Sequence, residues 1–271
     1  LVEVDQEIST IDSLFSIFSP KSEISLLNTQ KRVKASKYLL SVVRRALEIS
    51  NLSNGAFDIT VYPLLELWGF YTGKKPKKIP DQPQLEKVKA AVDYRKIEIK
   101  GDSIILDNDT SIDLGGIAQG YAVECVINRL KARGIRSALV NIGGEVMAYG
   151  QKPDGGKWQI GIKHPRRPGI IKTITLDNEA VATSGDYEKF LMIKGKRYPH
   201  IIDPRTGMPA RGLISVTIVA PDATTADGLA TAIFVLGPVK GKTLLDSLPT
   251  VKGIIYTEDK YQAINTISKG L

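Results

Sequence analysis

Stretches short enough to be strands arrive in adjacent groups in this sequence, and that habit constrains the fold more than any other feature. Residues 96–99 and 103–107 flank Gly101-Asp102, a hairpin signal. Further strands are expected near 137–149, 157–163, 170–176, 180–183 and 188–193, with no helix-period segment between them. A strand near 213–219 and a closing pair near 251–256 and 261–266 complete the set. A doubly wound parallel sheet needs a crossover helix between successive strands. The expected class is therefore α+β, mostly antiparallel sheet plus helices, in a single domain over 1–271 with no long interior linker.

The helices carry their own signals. Val4, Ile8, Ile11, Leu14 and Phe15 share helical spacing over 3–15, and Ser19-Pro20 ends that run. A polar loop is expected through Ser22, Glu23 and Asn28. Ser36 then caps a helix with Leu39, Leu40, Val43, Ala46, Leu47 and Ile49 on a broad stripe, stopped at Asn54-Gly55. Ala56–Pro63 reads as extended, 64–70 as one helical turn, 72–81 as a Lys/Gly/Pro loop and 82–92 as an amphipathic helix. Helix 117–133 stops at Gly134, and helices 223–236 and 239–246 follow later. Both 117–149 and 223–266 run helix then strands, which hints at a duplicated unit.

Composition narrows the partners. With 37 Lys and Arg against 29 Asp and Glu, the net charge is +8. That suits a nucleic acid, a membrane surface or an anionic small molecule. The densest basic groups, Lys74–Lys78 and Lys163–Arg167, read first as solvated loops, and no aromatic–basic stripe supports nucleic-acid binding. The single cysteine, Cys125, excludes an intrachain disulfide and a zinc cluster and is expected to be a buried, inert thiol. No run of about 18 apolar residues appears, so no membrane-spanning helix is expected. The chain begins at Leu1 without methionine, and the expectation is a leader or lipid anchor trimmed upstream.

Three segments can carry chemistry. Asp113-Leu-Gly-Gly-Ile-Ala-Gln-Gly-Tyr-Ala122 places a carboxylate before a glycine turn that opens a helix. Gly115, Gly116 and Gly120 would let backbone approach a ligand, and a helix N-terminus offers N–H donors to an anion. The spacing is neither the dinucleotide fingerprint nor a Walker loop, and a plain strand-to-helix turn is the alternative. Asp227 and Thr231, at i and i+4, share a helix face and offer oxygen ligands to magnesium or calcium; a cap and a back-bonded threonine are the alternative. His200, near Asp203 and Ser184, is a candidate general base, with a packing histidine as the alternative. No Gly-x-Ser-x-Gly elbow surrounds Ser184, which argues against a serine hydrolase.

Taken together, these motifs resemble the ApbE family of FAD:protein FMN transferases. The resemblance runs from Phe18-Ser-Pro-Lys-Ser-Glu-Ile-Ser-Leu-Leu-Asn28 through Gly55–Thr60, Leu67-Trp-Gly-Phe70, Asp113–Ala122 and Asn141-Ile-Gly-Gly144. It continues through Thr183-Ser-Gly-Asp-Tyr187, His200–Gly207 and Ala226–Ala232. It implies duplicated T-fold-like units with insertions. It implies cleavage of FAD at its pyrophosphate, FMN passing to a threonine or serine of a partner protein and AMP leaving. Hydrolysis of FAD to FMN and AMP, or holding FAD without cutting it, are the alternatives. Acceptors would be subunits of redox pumps or reductases, and the enzyme would be exported, on the periplasmic or cell-surface side of the inner membrane. By the same resemblance, Asp227 and Thr231 hold Mg2+ with the carbonyls of Gly116 and Ala230. Phe18 (a tyrosine in many relatives), Ala56, Phe57, Asp58, Asp113, Gln119 (commonly lysine or glutamate) and Ile202 contact FAD, and His200 is the base.

Overall fold

In the computed structural model, residues 2–71 and 78–257 are described in full and 263–266 as backbone. Most of the expected 72–81 loop, and residues 261–262 of the last expected strand, lie outside the described residues.

α1 (Val2–Phe15) buries Ile11 and Phe15. The expected polar loop after it is instead a helix, α2 (Glu23–Gln30). Ser22 caps α2 by accepting from the Ser25 N–H at 3.1 Å, and Ile24 and Leu27 are fully buried at i and i+3. The Glu23 carboxylate accepts from the N–H and hydroxyl of Ser36. Ser36 in turn caps α3 (Lys37–Leu52), so one polar knot fastens two helix starts. Between them runs β1 (Arg32–Lys34). The expected extended stretch 56–63 is a 3-10 turn, Ile59–Val61, leading into α4 (Tyr62–Leu67). The cause is Asp58, whose carboxylate accepts from Thr60 N–H and Oγ1 and from Tyr94 N–H and so curls the chain. α5 (Gln82–Lys89) opens on an Asp81/Gln84 capping box. β2 (Ile97–Lys100) and β3 (Ser103–Leu106) form the expected hairpin, which takes β1 as a third strand in the order β1-β3-β2.

α6 (Ala118–Ala132) then leads into β4 (Ala138–Ile142) and β5 (Glu145–Tyr149), the expected strand 137–149 being split by a turn at Gly143-Gly144. β6 (Trp158–Lys163) and β7 (Ile170–Leu176) make a separate hairpin. β8 (Ala180–Gly185) is followed by the small hairpins β9 (Phe190–Ile193) with β10 (Lys196–Pro199), and β11 (Ile202–Asp203) with β12 (Met208–Pro209). β13 (Leu213–Ala220), α7 (Ala223–Asp246), β14 (Lys252–Thr257) and β15 (Ala263–Thr266) close the order. The main sheet runs β15-β14-β13-β8-β5-β4, antiparallel throughout. Its two edges are the hairpins that follow α6 and α7, so helix-then-hairpin occurs twice, as the sequence hinted. The class is α+β.

Strand alternation splits the sheet residues between two cores. Met147, Ala182, Val216, Ile218 and Ile255 pack with the helices, whereas Val146, Val181, Val219, Ile254 and Tyr256 pack under β6–β7. α7 breaks at Gly237, just before Pro238, which is the expected boundary between 223–236 and 239–246. Contrary to expectation, α7 is long and apolar enough for a membrane span, but its apolar window is mostly buried inside the fold. Cys125 is half-buried, and burial pushes its thiol up to about 11, so it stays protonated and inert.

The α6–α7 crossing sets the rest. A Cβ on Gly120 would lie 2.2 Å from the Ala223 carbonyl oxygen, so the glycine serves helix contact here. On Gly228 the nearest atom would be the flexible Ile49 Cδ1, at 2.4 Å. Gly120→Ala is therefore expected to cost about 1–3 kcal/mol or more, because backbone must move. Gly228→Ala should cost clearly less, since a methyl can turn aside and alanine favours helix. Denaturant midpoints of the two variants check this, and equal midpoints would contradict it.

Candidate functional site

A cavity of about 760 Å³ opens where the glycine turn, the ends of β5 and β8, the start of α7 and the β6 strand converge. That is the size of sites that enclose a large cofactor. Ala56, Phe57, Asp58, Asp113, Gly116, Gln119, His200, Ile202, Asp227 and Thr231 all line it. Two expected site residues do not. Ala230 is buried immediately before Thr231, and Phe18 is 74% exposed and meets the wall residue Tyr71 edge-on at 5.8 Å. Tyr71 stacks on Tyr62 at the same spacing.

Asp113 is held from several sides. The Asn28 amide accepts from the Ile112 N–H at 2.7 Å and donates to the Ile112 carbonyl at 2.9 Å. Asp113 N–H donates to the Ile59 carbonyl, and Asp113 Oδ1 accepts from Gly115 N–H. Burial raises its carboxyl above the ordinary range, against the lowering effect of that N–H, Tyr71 and Lys189. Asp58 is also raised by burial, and its oxygens are engaged by Thr60 and Tyr94, so it shapes the wall.

At the other end sit Asp227, Thr231, Ser184 and Glu145. Gly120 N–H donates to Asp227 Oδ2 at 2.9 Å, and Thr231 Oγ1 lies 3.1 Å from Ser184 Oγ. Thr231 also lies beside Gly116, where an added Cβ would meet its Oγ1 at 3.4 Å. Glu145, which sequence reasoning missed, is 7% exposed, and its Oε2 finds no hydrogen-bond partner among the described residues. Burial pushes both carboxyls well above the ordinary range, and the Asp227 charge pushes Glu145 further. An orphaned buried oxygen beside a second carboxylate and a hydroxyl fits a hard cation, for which these are the natural ligands. The only sequence signal for Glu145 was its place after Asn141-Ile-Gly-Gly144, and a strand-edge glutamate ordinarily reads as solvated.

His200 is placed by the small core behind it. Trp68 Nε1 donates to the Gly207 carbonyl at 2.8 Å and stacks on Tyr198, while Phe70 meets the His200 ring edge-on at 6.3 Å. His200 Nδ1 lies 3.1 Å from the Lys189 carbonyl. A carbonyl only accepts, so Nδ1 carries the proton and Nε2 keeps its lone pair. Burial lowers the imidazole below its ordinary value and favours the neutral base, against the raising effect of the Lys189 carbonyl and with a smaller lowering from the Lys189 charge. The expected partners are elsewhere. Asp203 is taken by its own turn, through Arg205 N–H, Nε and Nη2, and Ser184 pairs with Thr231.

The ApbE family model matches residues 2–255. The FAD:protein FMN transferase of Vibrio cholerae is 33% identical over 269 residues, covering 96% of this chain and 80% of that protein. That of Haemophilus influenzae is 35% identical over 251 residues, covering 88% and 72%. Among solved structures, the ApbE protein of Thermotoga maritima superposes with a TM-score of 0.88 at 35% identity, covering 95% of this chain and 85% of that one. The apo flavinyl transferase ApbE of Pseudomonas stutzeri gives 0.87 at 34%, covering 96% and 83%.

The acid pair makes stability depend on pH. Carboxyls raised on folding hold protons that the unfolded chain releases, so their stabilisation is full below the unfolded values of 4.5 for Glu145 and 3.8 for Asp227 and is lost as pH climbs from there through the raised folded values. In chelator, the melting temperature should fall as pH rises from about 5 through neutral, and Glu145→Gln should flatten the fall. Parallel melting curves for the two proteins across that range would contradict the assignment.

Proposed function

The chain belongs to the ApbE family, and from that premise we propose that it transfers FMN from FAD to a threonine or serine hydroxyl of a partner protein, with AMP as leaving group. The observation that carries the reading is the cavity itself, which joins an oriented neutral imidazole to an oxygen-rich acidic end. His200 lines the cavity, and its Nε2 keeps a lone pair because Nδ1–H is committed to the Lys189 carbonyl. In the step proposed, the acceptor oxygen forms a bond to the FMN phosphorus. The bridging P–O bond to AMP breaks, and the hydroxyl proton passes to Nε2. The apolar walls, Phe57, Ile59 and Ile202, exclude water from that exchange. Gly115 and Gly116 line the cavity, where backbone without a side chain would let the dinucleotide approach closely.

Magnesium suits the acidic end, held by Asp227, Thr231 and the carbonyls of Gly116 and Ala230. Bound there, it supplies charge neutralisation for the pyrophosphate and the departing phosphate. Asp227 is fixed for that duty by the Gly120 N–H, which occupies one of its oxygens and leaves the other.

Two variants test the reading. His200→Ala should lower transfer to an acceptor protein by about 100- to 10,000-fold, with FAD affinity little changed. Asp227→Ala should abolish magnesium-dependent turnover and also the rise in melting temperature that magnesium gives the parent protein, with the circular dichroism spectrum retained. The assay follows AMP release and flavin fluorescence on the denatured acceptor. AMP with free FMN and no labelled acceptor would replace transfer with hydrolysis. Normal rates in Asp227→Ala would sink the metal assignment.

A further inference from the structure

Among the described residues, β6 pairs only with β7, yet it supplies one wall of the cavity through Ile160, Gly161, Ile162 and Lys163. Its seat on the sheet is apolar, Ile162, Ile174 and Leu176 resting on Val146, Val181 and Ile254. Apolar burial holds the hairpin down but has little direction of its own. Direction comes from the hairpin tip. Arg166 donates Nη1 to Asp186 Oδ1 and Nη2 to Asp186 Oδ2, both at 2.6 Å, a bidentate fork on a buried carboxylate. Asp186 follows β8, with its N–H on the Ile214 carbonyl. Its neighbours Gly185, Tyr187, Glu188 and Lys189 line the cavity, and the Lys189 carbonyl holds His200.

We propose that Arg166 and Asp186 form a positioning pair that fixes the β6 wall against the 185–189 segment around the bound dinucleotide. The proposal rests on reading the cavity as the FAD site. A planar fork sets both distance and angle, which a lysine in its place would not. The second cation on Asp186, Arg197 at 3.6 Å, separates this role from a purely structural one. Without Arg166 the buried carboxylate still has a partner, so the body of the fold is kept. What is lost is the tie between the hairpin tip and the end of β8. A bound FAD would then have to order the wall itself, and affinity would fall by that cost.

The experiment compares the parent protein with Arg166→Ala and Arg166→Lys by amide hydrogen exchange without ligand and by FAD binding followed through flavin fluorescence. Exchange should quicken in 158–176 and stay unchanged in α6, α7 and β13. The FAD dissociation constant should rise about tenfold in Arg166→Ala, with Arg166→Lys between it and the parent. Unchanged exchange in the hairpin overturns the proposal, as does unchanged FAD affinity. If Arg166→Ala does not fold, the lysine variant carries both readouts on the same criteria. Failure of the parent protein to bind FAD overturns the site reading itself, and the positioning role with it.

Discussion

The hydrogen bond from Gly120 N–H to Asp227 Oδ2 joins the two helices that the rest of the molecule is arranged around. It forms only because position 120 has no side chain, which lets α6 come within contact of the α7 backbone at Ala223. That approach brings the glycine turn of one helix-and-hairpin unit against the first turns of the other. The cavity is the space left where their N-terminal ends meet. Asp227 is thereby buried at the cavity end instead of facing solvent, and its raised pKa follows from that burial. A single close contact thus sets the helix crossing, the depth of the carboxylate and the electrostatics of one end of the site.

The other end is built by indirect means. His200 sits on a short strand connection that has few backbone bonds of its own, so its position depends on neighbours. Trp68 reaches it through Gly207 and Tyr198, and Phe70 meets its ring. The motif around Trp68 is thus a brace for the histidine and contributes no polar group to the cavity. The Lys189 carbonyl then selects the tautomer, which aromatic packing alone cannot do. Asp203 carries out a local task, holding the Arg205 turn so that β11 and β12 can pair.

How far this was readable from sequence varied with the range of the interaction concerned. α1, α3, α6 and both parts of α7 were readable because their apolar spacing and stops are local. The β2–β3 hairpin was readable from Gly101-Asp102. α2 was not, because eight residues with two buried side chains give too short a period and its support, Glu23 on Ser36, is 13 residues away. The curl at 59–61 was hidden for a related reason, since Asp58 bonds onward to Tyr94. At the site, most of the residues expected there line the cavity; Asp113, Gly116, His200, Asp227 and Thr231 stood out by their own pattern, whereas Ala56, Phe57, Asp58, Gln119 and Ile202 came only with the resemblance. Glu145 had no local mark, because an unpartnered oxygen is a property of the assembled cavity. The partner of His200 is a backbone carbonyl, which no residue identity discloses.

The charge of the cavity runs against that of the protein. On a chain of net charge +8, the cavity is lined by Asp58, Asp113, Glu145, Glu188 and Asp227 against Lys163 and Lys189. An anionic dinucleotide entering five ionised carboxylates would be repelled at short range, whatever the outer surface does to attract it. Burial relieves part of this, since Asp58, Asp113, Glu145 and Asp227 are all raised and so are less charged than exposed acids would be. The two that are most strongly raised, Glu145 and Asp227, share one end of the cavity, so the charge that returns when they lose their protons gathers there. A pyrophosphate can approach that end only together with positive charge, which either stays as protons or arrives as a cation that displaces them. Protons would leave the carboxyls neutral but would not offset the ligand's own charge, whereas a divalent cation answers both. On this reading the basic surface favours encounter, and the acidic end selects for a substrate that brings its counter-ion.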